Sequence, residues 1–335
     1  MSPYSKFIAR GPREHLFLLT ERHPTRGFLY IALATLQWGI AASMGRAVFT
    51  GRLRVGGEVV GAMRPMVLAQ GRVTFSFFLL LAFLLARRGW KSLALPKLDI
   101  GRVLLIGVAG MAASNYFYYL AIQRTNVATA IIVQYTAPVW VLLYMVGRGL
   151  QKATLKRVGA VGMVLAGIAL AIDLVGRGGF RSDAIGVGAA LLAALSFSFY
   201  NIAVHGVLRR HDRWKILLWV LMTATIFWAI ANPPWRWLSA GYTRGQILFL
   251  CAFSLISMVG PFSFYFAGLQ HLEPTQAVVA SCLEPVFAIL VAAIALGEHV
   301  TLTQGLGVAL VLLAIIVVQR PERYERESAM VEPIE

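Results

Sequence analysis

The sequence predicts an all-α integral membrane protein in which ten transmembrane helices form two inverted five-helix repeats. Three observations carry that prediction. Of 335 residues, 58% are hydrophobic and only 14% charged. The apolar residues fall in ten continuous runs, each near the length needed to cross a hydrocarbon core about 30 Å thick. The chain also matches itself when it is shifted by 147 residues.

A soluble domain of this size carries nearer a quarter charged residues, because its surface faces water. The composition therefore excludes a water-soluble globular fold, a disordered chain and a disulfide scaffold. The net charge of +16 does not indicate nucleic-acid binding, which needs Lys and Arg on one solvated face. Here the basic residues sit in short segments between apolar runs, the distribution that orients membrane proteins and attracts anionic lipid. Both cysteines, Cys251 and Cys282, lie inside apolar runs, so neither a disulfide framework nor a metal site is expected.

Residues 1–26 are polar and charged, and their one apolar stretch, Leu16 to Leu19, is too short for a signal-peptide core. They read as a retained cytoplasmic tail. The apolar runs follow at 27–49, 65–86, 103–123, 125–147 and 157–174, then at 184–207, 214–232, 245–269, 275–296 and 301–319. Each run is continuously apolar, which favours helices over barrel strands that alternate along about ten residues. Gln123, Arg124, Thr125 and Asn126 must form the turn between the third and fourth runs. Residues 320–335 form a second tail. An even number of spans puts both termini on one side. That side carries 21 Lys and Arg against 9 on the other, so the positive-inside rule places both termini in the cytoplasm. Trp235 and Trp237 fit an interfacial belt.

The internal match organises the chain. Phe117, Tyr118, Gln123, Ala130, Pro138 and Val139 correspond to Phe264, Tyr265, Gln270, Ala277, Pro285 and Val286. The first repeat then covers 27–174 and the second 184–319, joined by the short stretch Val175 to Asp183. Five spans per unit is odd, so the second unit crosses the membrane in the opposite sense, as in alternating-access carriers.

With those residues in place, the stretch Tyr265 to Gly307 resembles EamA-type members of the drug/metabolite transporter superfamily. Glu284-Pro285-Val286, Gly297-Glu298 and Gln304-Gly305-Leu306-Gly307 fit the closing half of that pattern. Gln37-Trp38-Gly39, Arg72 and Pro138 fit its first half. The chain departs from its own symmetry where Gly149 is followed by Leu150 and where Ala137 stands opposite Glu284. The resemblance covers about residues 27 to 320 and implies a ten-helix carrier of a small polar metabolite.

Candidate site residues are the polar groups inside spans, because each must face the bundle or a cavity. Pro138 and Pro285 sit mid-span and should kink or break their helices, freeing backbone carbonyls. Glu284 is the acidic residue near the middle of a span; it reads as a proton-coupling group, a partner for a substrate amine or a neutral packing carboxyl. Arg72 reads as a structural residue that snorkels or pairs, with capture of a carboxylate or phosphate as the alternative. Asn115, Tyr118 and Tyr119 share a helix face at i, i+3 and i+4. With Gln37, Trp38, Gln134, Asn201 and Tyr265 they form the set expected to line a cavity. Gly159, Gly162 and Gly167 read as close helix packing. His205, His211, His271 and His299 have no ligand spacing, and no phosphate loop, H-E-x-x-H or G-x-S-x-G pattern occurs.

These readings converge on a secondary transporter, not an enzyme, with no cofactor, in a bacterial inner membrane. By resemblance its substrate is an amino acid or related compound, exported with a proton or a counter-substrate. The alternatives are a sugar-phosphate, nucleotide-sugar or multidrug carrier of the same fold, a channel, and a membrane-embedded lipid-modifying enzyme.

Overall fold

The structure, a computed structural model of the chain, describes residues 23–49, 54–55, 58–59, 63, 65–125, 127–172, 183–233, 235, 241–296 and 299–319. Most of the N-terminal tail, the C-terminal tail, the join at 173–182, Gly297-Glu298 and Trp237 lie outside the described residues.

Nine described helical stretches are long and apolar enough to cross a membrane: Pro24–Gly45, Val67–Arg88, Lys97–Arg124, Thr129–Gly147, Ala184–Leu208, Arg213–Ala231, Arg244–His271, Pro274–Ile294 and Leu302–Gln319. The tenth, Leu155–Ala171, has 17 residues. At 1.5 Å per residue it reaches about 25 Å, at the short end of the spanning range. It is the fifth span in chain order. The one strand ladder among the described residues pairs Arg54–Val55 with Glu58–Val59 between the first two spans.

Polar residues set where the helices start. Asp183 accepts from Gly186 N at 2.7 Å, and Asp212 accepts from Trp214 N and Lys215 N at 3.2 Å. Thr243 with Gln246, and Glu273 with Gln276, form capping boxes at the eighth and ninth spans. Each satisfies amides that the first helical turn leaves open. Gly149, with φ of 67°, ends the fourth span in a conformation that a side chain disfavours.

The packing exchanges on swapping the halves. The first span lies against the eighth and ninth, and the sixth against the third and fourth. The second packs on the seventh and the fifth on the tenth. The local irregularities repeat as well. The third span widens into a π-helix at Ile106–Ala112 and the eighth at Leu255–Val259. The fourth span breaks between Val127–Gln134 and Ala137–Gly147, and the ninth between Pro274–Ser281 and Leu283–Leu296. With five spans in each half, the two repeats cross the bilayer in opposite directions.

Glycine packing differs from the sequence expectation. At the crossing of the fifth and tenth spans, a Cβ on Gly307 would stand 2.5 Å from the carbonyl oxygen of Gly167. Gly159 and Gly162 have open space where a Cβ would lie, and both are exposed. Only Gly167 of the three is a packing glycine, because the other two turn away from the tenth span.

Candidate functional site

The helix breaks put polar groups inside the fourth and ninth apolar spans. A proline has no N–H, so Pro138 cannot bond the carbonyl of Gln134, nor Pro285 that of Ser281. Both prolines are buried in the first turn of the second half-helix. The intervening residues turn on local bonds. Thr136 Oγ1 donates to Val133 O at 2.7 Å and Trp140 Nε1 to Thr136 Oγ1 at 3.1 Å. In the ninth span Ser281 Oγ donates to Val278 O at 2.7 Å. Under the 147-residue shift the Tyr135 turn superposes on Cys282.

Glu284 lies in the first turn of Leu283–Leu296, where open amides and the helix dipole favour a carboxylate. Its side chain is a hydrogen-bonding partner of Tyr135, from the break in the fourth span, and it lies in Coulombic reach of Arg72. Arg72 comes from the second span and donates through Nη2 to the side-chain oxygen of Asn115 in the third. Asn115 is itself held by Nδ2 donating to Met111 O at 2.8 Å, beside the π-helix. Arg72 Nε is buried without a hydrogen-bond partner among the described residues. Tyr118, one turn from Asn115, acts electrostatically with both Glu284 and Arg72, and its ring lies 5.7 Å from that of Tyr119. The second, third, fourth and ninth spans thus bring one cation, one carboxyl, an amide and two phenols to one place, with Tyr119 packed against Tyr118.

A second polar pair backs this cluster. The Tyr265 hydroxyl donates to Asn201 Oδ1, and both residues are fully buried. Asn201 Nδ2 donates to Phe197 O at 2.7 Å. Tyr265 also reaches Ser281 and Cys282 at the break of the ninth span, which ties the pair to the turn before Glu284. Trp38 covers it, with its ring 5.4 Å from Tyr265 and 5.2 Å from Phe262.

The expected set therefore divides. Asn115, Tyr118 and Glu284 meet at the centre, Tyr119 packs on Tyr118, and Trp38, Asn201 and Tyr265 form the adjoining wall. Gln37 packs against Gly260 of the eighth span. Gln134 ends the first half of the fourth span, and among the described residues no hydrogen bond joins it to the Arg72–Glu284 cluster. Two members of the centre stood outside the expected set. Arg72 does not snorkel: its guanidinium bonds inward to Asn115. Nothing in the sequence singled out Tyr135, whose counterpart in the second half is Cys282; only the packing of the fourth span on the ninth brings it to Glu284. Among the described residues, no group of three His, Cys, Asp or Glu is placed to hold a metal.

Loop contacts flank the bundle. Glu273 accepts from Gln151 Nε2 at 2.5 Å and from Arg157 Nη2 at 3.3 Å, linking the turn before the ninth span to that before the fifth. His211 and Asp99 meet at 2.8 Å, and Arg88 and Asp212 at 2.7 Å. Gln70 and Asn232 exchange two bonds of 2.8 and 2.5 Å between the second and seventh spans.

The chain matches the profile of the EamA-like transporter family twice, over residues 25–172 and 184–320. It is 26% identical over 292 residues to an uncharacterized transporter of Archaeoglobus fulgidus, covering 85% of this chain and 97% of that protein. It is 22% identical over 312 residues to the uncharacterized inner membrane transporter YicL of Salmonella typhimurium, covering 91% and 98%. It is 26% identical over 292 residues to the threonine/homoserine exporter RhtA of Escherichia coli, covering 85% and 88%. A protein of known crystal structure shares the fold with a TM-score of 0.71 at 20% identity, covering 92% of this chain and 99% of the other.

Proposed function

The chain belongs to the EamA-like transporter family, and from that premise we propose that it carries a zwitterionic amino acid or close relative by alternating access. It is a multi-pass membrane protein whose transport acts on small molecules. The observation that supports an amino-acid substrate is the Arg72–Glu284 arrangement. Arg72 keeps a buried Nε donor without a hydrogen-bond partner among the described residues, beside an Nη2 already aligned by Asn115. A guanidinium so oriented suits a carboxylate, which accepts two parallel N–H bonds. Glu284 and Tyr135 on the opposing break suit an ammonium group. Charged side chains inside a membrane are costly to keep and mark substrate or ion pathways. The name of the RhtA relative, a threonine/homoserine exporter, agrees with small hydroxylated amino acids and with an export direction.

Glu284 carries the coupling proton in this reading, alternating between the Tyr135 contact and a substrate ammonium. The distribution of basic segments supports cytoplasmic termini, and the YicL relative is described as an inner membrane transporter. The test is counterflow of labelled threonine and homoserine in proteoliposomes of the purified chain. Saturable uptake, stimulated by unlabelled amino acid inside the vesicles, is the expected result. Uptake that stays linear with concentration, or a labelled product chemically different from what was added, would overturn the proposal.

A further inference from the structure

Away from the central cluster, basic groups gather where the first and seventh spans begin and the eighth ends. The His23 and His271 rings are 6.2 Å apart, and His271 stacks on Tyr30 at 6.1 Å. Arg26 and Arg213 act electrostatically on the same His271. The Arg213 guanidinium lies 5.6 Å from the ring centre of Trp214. His271 Nδ1 is buried with no hydrogen-bond partner among the described residues.

From this cluster a groove of about 200 Å³ runs along the eighth span, with Tyr30, Arg213 and Trp214 at one end and Val259 and Gly260 at the other. Its walls are apolar. Phe264 and Ala267 face it, and the Ser263 hydroxyl is spent on the carbonyl of Val259. Val259 to Ala267 is roughly 12 Å of helix rise. One leaflet of a bilayer has about 15 Å of hydrocarbon. The groove is therefore apolar over the depth of one leaflet and cationic where that leaflet meets water.

We propose that this groove holds one anionic phospholipid. Its phosphate lies against Arg26, Arg213 and His271, and an acyl chain runs past Tyr30 and Phe264 toward Val259. The charges select an anionic headgroup, since a net-neutral lipid gains little from them, and basic pockets between spans are suited to such headgroups. The walls select a chain over a free anion, because an inorganic phosphate or soluble phosphate ester would leave the apolar face uncovered. The site is separate from the Arg72–Glu284 centre, and it stands or falls independently of the transported substrate.

The test is native mass spectrometry of the purified full chain, titrated separately with phosphatidylglycerol and phosphatidylethanolamine of identical acyl chains. Phosphatidylglycerol should bind about tenfold or more tightly, because each basic residue near a headgroup contributes on the order of a fivefold gain. Arg26→Gln, at an exposed position, should remove much of that preference, and Arg26→Gln/Arg213→Gln nearly all of it. Ala267→Phe should weaken both lipids by filling the groove, and millimolar inorganic phosphate should not displace either. Equal binding of the two lipids overturns the proposal, as does undiminished preference in Arg26→Gln. Displacement by phosphate alone would mean a simple anion site. Tighter lipid binding by a chain lacking residues 1–22 would make that segment the native occupant instead.

Discussion

Arg72 of the second span and Asn115 of the third are joined by a side-chain hydrogen bond, from the guanidinium Nη2 to the amide oxygen. The bond fixes the plane of the guanidinium and leaves Nε pointing at no protein acceptor among the described residues. Asn115 is in turn fixed by Met111 O, so the orientation of Arg72 traces back to the π-helix of the third span.

Asn115→Leu should therefore weaken substrate binding and also lower stability, because Arg72 keeps its charge but loses its acceptor and its orientation. The lost bond to a charged group, worth about 1.5–3 kcal/mol to the fold, should lower the melting temperature, and the lost orientation of the guanidinium should raise the dissociation constant of the substrate. Arg72→Lys should do at least as badly, since an ammonium cannot present two parallel donors. Competition binding on detergent-purified variants measures both. Wild-type affinity in Arg72→Lys would show that only a point charge is needed.

Tyr265→Phe removes the donor to Asn201 and leaves a buried amide oxygen without its partner. Such a loss costs about 1–3 kcal/mol. The variant should unfold at lower temperature while its transport KM changes by less than that of Asn115→Leu. A wild-type melting temperature would show that the Asn201–Tyr265 contact contributes nothing to stability.

Gly307→Ala places a methyl group 2.5 Å from the Gly167 oxygen and the Ala171 nitrogen, both backbone atoms that cannot step aside. Overpacking of this kind costs about 1–3 kcal/mol, and thermal unfolding in detergent should show it. Gly159→Ala is the matched control. Nothing lies within 4 Å of its Cβ position, and replacing a mid-helix glycine by alanine gains about 0.5–1 kcal/mol. The two substitutions should shift the melting temperature in opposite directions.

The fold was legible because it rests on span length and internal repetition, both of which are properties of sequence alone. The 147-residue match also located the two helix breaks, since Pro138 and Pro285 remove the same backbone bond in each half. The glycines were less legible: Gly159, Gly162 and Gly167 look alike in sequence, and only the rotation of the fifth span against the tenth separates them. Arg72 was legible only in part, as a residue that snorkels or pairs. It lies about seven residues into its run, which is compatible with snorkelling to the interface, and its inward bond depends on a neighbouring helix presenting Asn115. The partners of a buried charge are tertiary facts. Tyr135 belongs with it, because a tyrosine beside a helix break has no distinguishing pattern until Glu284 is placed opposite.

Cysteines introduced at Asn115 and Tyr118, in a chain whose Cys251 and Cys282 are replaced, should react with small water-soluble thiol reagents. Bound amino acid should slow that reaction. Labelling that proceeds at the same rate with and without substrate would separate the Arg72–Glu284 cluster from the transport path.

Glu284→Gln preserves the shape of the side chain and fixes it neutral. If Glu284 carries the coupling proton, accumulation driven by a proton gradient should collapse while counterflow of substrate continues. The two modes are measured on one preparation in proteoliposomes. Undiminished accumulation would remove the proton from Glu284, and loss of both modes in a folded variant would assign the carboxyl to substrate binding alone.

The central claim is that Arg72 and Glu284 together read a zwitterion, and the most direct measurement is equilibrium competition between a bound amino acid and its two truncated analogues. One analogue keeps the ammonium and lacks the carboxylate; the other keeps the carboxylate and lacks the ammonium. Each lost charge-assisted contact should cost about 1.5–3 kcal/mol, so both analogues should compete at least about tenfold more weakly than the parent. The carboxylate-free amine should also be indifferent to Arg72→Gln. An amine that competes as well as the intact amino acid, or that loses affinity in Arg72→Gln as the parent does, would contradict the account.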